Sequence, residues 1–115
     1  MSIEQKILSE LKGCGVEWIT WLPDSETRTM YEEMSEDPEI KVVQVCHESE
    51  AVGVCYGLTK GGAGAAVMIQ NTGLNNAVDA IRGLPMYMKE LQLLLQDFSV
   101  LRLRLLGLVH LSNCL

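Results

Sequence analysis

The stretch VCHESEAVGVCYGLTKGG, Val45 to Gly62, carries a valine-rich segment into His47-Glu48-Ser49-Glu50 and then into a run of Ala, Gly, Val and Cys. Carboxylates are rarely buried, whereas small apolar residues are what a helix presents to a close neighbour. Counting from Glu48 at helical spacing, one face carries Ala51, Val52, Cys55 and Thr59. Glu48 therefore heads a mostly apolar stripe, where a carboxyl can hold a proton and hand it on. Two influences oppose each other at such a place: apolar surroundings favour a protonated carboxyl, and a helix N-terminus favours an ionised one. The plainer alternative is a carboxylate that only complements the helix dipole. Glu50 lies about 200° around the same helix, above Gly53, Val54 and Gly57. Each interior glycine costs roughly 1 kcal/mol against alanine. Two of them on one side predict that another backbone or helix comes close there.

Other polar groups are weaker candidates. Asp24 and Ser25 follow Pro23 and are ordinary helix-cap residues. His47, at the end of a strand, is a surface or interface residue unless it reaches a reacting centre. Asn71, Thr72, Gly73 and Asn76 fall in a turn-rich loop that could cap a helix, contact a ligand, or do both. The glycines of KGGAGAA follow a helix and open a strand, which is the reverse of a phosphate-cradling loop, so they read as a helix end and turn. Cys14, Cys46, Cys55 and Cys114 have no C-x-x-C spacing; they read as small buried hydrophobes in a reducing compartment, not as zinc ligands.

These groups must be held by the rest of the chain. With 115 residues, 48% hydrophobic, and a mean hydropathy of +0.15, the chain is expected to fold as one domain. The net charge of −6 argues against a nucleic-acid surface, which needs clustered Lys and Arg. No run reaches the ~18 apolar residues of a membrane span, and the acidic N-terminus is unlike a targeting peptide, so a cytoplasmic protein is expected. Ile3, Ile7, Leu8 and Leu11 predict a helix capped by Ser2 and ended by Gly13 and Gly15. A strand, VEWITWLP, follows. DSETRTMYEEM predicts a helix capped by Asp24 or Ser25, with a stripe through Thr27, Met30, Tyr31 and Met34. KVVQVC is a second strand, residues 48–60 a third helix, AAVMIQ a third strand, NTGLNN a loop, and NAVDAIRGL a fourth helix interrupted at Pro85. Alternating helices and strands with short links give an α/β fold, a doubly wound parallel sheet flanked by helices. Ligands of such sheets bind beyond the carboxyl ends of the strands. LPDS, CHESE and QNTGLNN all fall on that rim.

Taken together, HESEAVGVCYGLTKGGAGAAVMIQNTGLNNAVDAI resembles the pyrimidine-binding domain of thiamine-diphosphate enzymes, in the branch of the sulfopyruvate and phosphonopyruvate decarboxylases. That family has an H/N-E-x-x-A motif, a small-residue helix with A/C-x-G, and a strand ending M-Q-N-S/T-G-L-x-N. The counterparts here are Glu48 and Ala51, Cys55-Tyr56-Gly57, and Met68 to Asn76, with LPDS matching the first-strand loop. The resemblance implies that Glu48 hydrogen-bonds N1′ of the cofactor's aminopyrimidine and that Asn71, Thr72, Gly73 and Asn76 surround that ring. It puts Asp24, Ser25 and His47 near a small anionic 2-oxo acid. Such a substrate needs a cation, and Arg28, Lys60, Arg82 and Lys89 are available. Where many relatives have glycine this chain has Asn75, which tolerates a left-handed backbone.

No G-D-G…N motif for magnesium and diphosphate is found in the sequence. The resemblance therefore implies a partner beta subunit carrying that half of the site, a hetero-oligomer, and thiamine diphosphate shared between chains. It covers roughly residues 1–89, the expected pyrimidine-binding domain. The segment 90–115 is a divergent, leucine-rich tail in which LQLLLQ could be the family's next strand and VLRLRLL alternates like one. The abrupt change in composition suggests a truncated or altered C-terminus. An incomplete, non-catalytic paralogue that only pairs with a partner is the alternative to a catalytic alpha subunit.

Overall fold

In a computed structural model of the protein, residues 1–83 are described, together with the backbone of 92–97 and 104–110. Among the described residues four helices, a short 3₁₀ turn and five strands follow in the order α1 (Ile3–Gly13), β1 (Trp18–Trp21), α2 (Met30–Glu36), β2 (Lys41–Gln44), α3 (Glu48–Lys60), β3 (Ala65–Gln70), a 3₁₀ turn (Asn71–Gly73), α4 (Leu74–Gly83), β4 (Gln92–Asp97) and β5 (Arg104–His110). The strands form one sheet in the order β2-β1-β3-β4-β5. The first four are parallel, and β5 runs antiparallel to β4. The expected doubly wound α/β sheet is therefore present. The chain moves from β1 outward to β2, then crosses back over β1 to β3. Right-handed crossovers in opposite directions put α2 and α3 on opposite faces.

Side-chain alternation along the strands serves both faces. On β3, Ala66 and Met68 join a core with Ile7, Leu8, Leu11, Ile19, Trp21, Met30 and Met34, under α1 and α2. Ala65, Val67 and Ile69 point the other way, to Ala51, Val52, Cys55 and Ala77 under α3 and α4. Strands buried on both faces read as continuous apolar runs, as AAVMIQ does.

The helix ends follow their sequences. Ser2 and Gln5 form the capping box of α1, and Lys12 in its last turn bridges Asp37 at 2.7 Å and Glu39 at 3.1 Å. The second helix starts later than its sequence suggests. Asp24 Oδ1 accepts from the backbone N–H groups of Glu26 and Thr27, at 2.8 and 2.7 Å, so it does act as a cap. What it caps is a turn, in which Met30 and Tyr31 donate to carbonyls three residues back; α-helical bonding begins only at Met30. Thr27, Met30 and Met34 are buried as the stripe predicts, but Tyr31 is exposed, stacked on Trp21 with ring centroids 5.3 Å apart. Asn75 lies within α4, so no left-handed residue is needed there. The KGGAG segment is a turn, with Gly62 at φ +91°. A Cβ on Gly64 would run into the Gly15 carbonyl, so these two turns touch backbone to backbone.

Candidate functional site

The parallel register aligns Trp21, Gln44 and Met68 at the carboxyl ends of β1 and β2, with β3 running two residues further, so the segments after the strands share one rim. On that rim α3 begins. His47 is its N-cap: the backbone is extended (φ −151°, ψ 149°), and ring Nδ1 accepts from the Ser49 N–H at 3.1 Å. Glu50 turns back and accepts from the Cys46 N–H at 2.8 Å. Histidine thus satisfies one of the amides that a helix start leaves unpaired, and glutamate ties down the residue just before the cap. Glu50 is accounted for by this contact and not by the glycines beyond it.

Glu48, the first residue of α3, is turned inward and only 8% exposed. The apolar stripe predicted beneath it is present: Ala51, Val52 and Cys55 are buried, with Thr59 partly so. Thr20, fully buried in β1, donates its hydroxyl to the Ala51 carbonyl at 2.9 Å and ties the first turn of α3 to the sheet. That tie was not foreseen. The only signal for it is a single hydroxyl inside an otherwise apolar strand.

The loop after β3 closes over Glu48 from the other side. A Cβ placed on Gly73 would lie 2.7 Å from both Cγ and Oε1 of Glu48, so the carboxylate occupies space that any other residue would fill. Asn76 Nδ2 donates to Glu48 Oε2 at 3.4 Å, and His47 Nε2 stands 4.0 Å from the same oxygen. Four of the anticipated residues therefore converge: His47, Glu48, Gly73 and Asn76. Thr72 is exposed, and Asn71 is described through its backbone alone, in the 3₁₀ turn. Asp24 and Ser25 belong to the same rim, but among the described residues no hydrogen bond joins them to Glu48. Asp24 Oδ2 is buried without a hydrogen-bond partner among the described residues, while Ser25 is exposed. An unpartnered buried carboxylate oxygen is costly unless a proton or an outside donor serves it.

The expected close neighbour of Gly53 and Gly57 is not found among the described residues: a Cβ on either would meet nothing within 4 Å. The two glycines leave that side of α3 open. Of the cysteines, Cys55 is buried, Cys14 partly so and Cys46 exposed, which corrects the uniform burial expected of them; Cys114 lies outside the described residues. The four candidate cations also separate. Lys60 lies at the far end of α3, 5.9 Å over the Tyr56 ring, and Arg82 sits in the last turn of α4 beside Asp79; both are on the opposite rim. Arg28, after β1, is on the ligand rim. It lines a groove of about 510 Å³ with Trp21, Thr29, Tyr31, Glu32 and Gln44, on the α2 side of the sheet. Lys89 lies outside the described residues. No cluster of three or more His, Cys, Asp or Glu side chains that could hold a metal occurs among the described residues, nor is any described helix long and apolar enough to cross a membrane.

Burial pushes the Cys55 thiol up to about 11, with hydrogen bonds to Thr59 and Thr20 pulling the other way. The thiol stays neutral, and the face below Glu48 stays apolar. Its ordinary value is 9.0. The stabilisation is therefore complete below pH 9 and is lost as pH rises towards 11, because only the unfolded chain releases this proton readily. The expected loss is on the order of 2 kcal/mol. Urea unfolding at pH 8 and pH 11 checks it, since Cys55→Ala removes this component and leaves the Lys and Tyr contributions in place.

Known proteins similar to this chain include decarboxylase subunits. The sulfopyruvate decarboxylase subunit alpha of Methanococcus maripaludis is 31% identical over 84 residues, which cover 73% of this chain and 50% of that protein. The same subunit of Methanothermobacter thermautotrophicus is 31% identical over 80 residues, covering 70% and 48%. Sulfopyruvate decarboxylase of Methanosarcina acetivorans is 32% identical over 82 residues, covering 70% and 20%. The chain spans about half the length, or less, of these curated relatives. Residues 1–85, which hold the whole constellation around Glu48, match the family model described as thiamine pyrophosphate enzyme, N-terminal TPP binding domain, and the chain belongs to that family.

Proposed function

We propose that this chain supplies the aminopyrimidine half of a thiamine-diphosphate site and acts as the alpha-type subunit of a 2-oxo acid decarboxylase, with sulfopyruvate as the favoured substrate. One observation carries the proposal: an inward-turned carboxylate at the start of α3, on the ligand rim, in a cradle that a Cβ on Gly73 would fill. The donor set suits the group. An aminopyrimidine presents a ring nitrogen able to share a proton with a carboxyl, and the glycine keeps space beside that carboxyl. When bound, the cofactor provides the nucleophilic carbon and the electron sink for loss of carbon dioxide. Glu48 would hold and pass a proton at N1′, and the backbone of Asn71 and Thr72 would help to hold the ring.

Asp24, with its unserved Oδ2, is the substrate-side candidate of this chain; Ser25 and His47 flank the same rim. Arg28 has the charge an anionic tail needs, though it lines the α2 face and not the Glu48 face. Magnesium and the diphosphate are assigned to a beta subunit, so the working enzyme is a hetero-oligomer and the site is completed between chains. The substrate type is taken from the relatives, two of which are named as alpha subunits.

The test is reconstitution. The chain, a beta-type subunit, thiamine diphosphate and magnesium are mixed, and carbon dioxide release is followed with sulfonated, phosphonated and unsubstituted pyruvates. Release that requires both chains and is fastest with sulfopyruvate is the expected result. A pair that assembles and binds cofactor but releases nothing would make this chain a pairing module only.

A further inference from the structure

We infer that Asn76 and His47 are positioning residues that engage one oxygen of Glu48, Oε2, and so reserve the other, Oε1, for the proton shared with the cofactor ring. The inference rests on the assignment of Glu48 to N1′, and it moves Asn76 from the ring's surroundings to the carboxylate itself.

Free in water, the two oxygens of a carboxylate are equivalent. Here they are not. Oε2 faces two nitrogens: Asn76 Nδ2, which donates at 3.4 Å, and His47 Nε2 at 4.0 Å. Which ring nitrogen of His47 carries the proton follows from the helix cap. Nδ1 accepts the Ser49 backbone N–H at 3.1 Å, so its lone pair is in use. In the neutral ring the proton then sits on Nε2, the nitrogen turned towards Oε2. At 4.0 Å that N–H is beyond hydrogen-bond length and acts through its dipole, while Asn76 makes the direct bond. Oε1, by contrast, receives no hydrogen bond among the described residues and lies against Gly73, which has no side chain to cover it. The oxygen with unused capacity is Oε1. Holding Oε2 also fixes the rotation of the carboxyl plane, so Oε1 meets the ring in one geometry.

The histidine substitutions separate capping from orientation. Asparagine at 47 can accept the Ser49 N–H and still present an N–H, whereas aspartate can accept it but offers only negative charge to Oε2. In the complex with a beta subunit, exchange of the C2 proton of bound thiamine diphosphate is measured by NMR and cofactor affinity by calorimetry. Asn76→Ala is expected to slow exchange about tenfold, the lower end for a hydrogen bond to a charged group, while changing affinity less than about threefold. His47→Asp should slow it about as much, and His47→Asn should recover most of the rate. A second readout needs no cofactor: in the full chain alone, the Asn76 side-chain amide resonances should shift on Glu48→Gln.

Unchanged exchange in Asn76→Ala, equal behaviour of His47→Asp and His47→Asn, or unmoved Asn76 resonances would each overturn the inference. So would a loss confined to cofactor affinity, which would return Asn76 to the ring. Glu48→Gln distinguishes failure of the inference from failure of its basis. If that variant still exchanges, Glu48 is not the activating acid; if it does not exchange while Asn76→Ala does so normally, only the positioning role fails.

Discussion

Glu48→Gln is expected to slow C2-proton exchange of bound thiamine diphosphate by between about a hundredfold and ten-thousandfold, the range that a positioned general acid or base supplies. Glutamine keeps the length and volume of the side chain, so the cradle beside Gly73 stays filled and α3 keeps its cap on His47. What is lost is the ability to hold a proton that can move. An amide in that place can still donate a hydrogen bond to a ring nitrogen, so the cofactor should bind, within about tenfold of its normal affinity. Assembly with the partner chain should not change. The decisive measurement is therefore the ratio of the two effects, exchange by NMR and affinity by calorimetry on the same complex. Equal losses in both would mean that Glu48 merely anchors the ring. Full exchange in the variant would move the acid elsewhere, and Asp24 with its buried, unpartnered Oδ2 would be the next residue to test.

The legible parts of this chain are those governed by periodicity. Ala51, Val52 and Cys55 had to lie under Glu48 because a helix repeats every 3.6 residues, and they do. AAVMIQ is legible as a strand, apolar up to its last residue, and β3 does form with neighbours on both sides. Long-range contacts were not legible. Nothing local says that the Thr20 hydroxyl reaches the Ala51 carbonyl, 31 residues away. Nothing local says that Gly73 packs on Glu48 and not on a ligand, because a glycine in a turn has several adequate explanations. Gly53 and Gly57 show the converse error: their spacing suggested a neighbour, but a missing side chain records only that space was wanted, not by what. Tyr31 failed for a third reason. Tyr31 lies within α2, but about 100° around the helix from the buried Met30, which puts it at the margin of the stripe, where its ring stacks on Trp21 instead of entering the core. The site was readable where several weak signals at fixed spacing coincided, around Glu48 and the Gln70–Asn76 loop. It was unreadable where one side chain had two ordinary uses, as with Asp24.

Gly73→Ala should be almost as damaging to exchange as the loss of the carboxyl itself, through geometry alone. The backbone at Gly73 is not left-handed, so alanine suits the chain locally. The obstruction is the Glu48 side chain: the new methyl would lie 2.7 Å from its Cγ and Oε1 and 3.1 Å from Cδ. Carbon atoms cannot approach that closely, and Cγ is near the root of the side chain, so turning the carboxylate tip does not relieve the contact. Either the first turn of α3 shifts or Glu48 adopts another rotamer and leaves Asn76. Misplacement by about 1 Å costs roughly a hundredfold in rate where a reacting group must meet its target. Stability should fall by only about 1–3 kcal/mol, the range for one extra methyl in a packed place, and urea unfolding measures it. A double-mutant cycle then tests the coupling. If Gly73 acts through Glu48, adding Gly73→Ala to Glu48→Gln should slow exchange little further, although each substitution alone is severe. Fully additive losses would instead place Gly73 against the cofactor, as the loop's sequence first suggested, and leave the cradle beside Glu48 without a catalytic consequence.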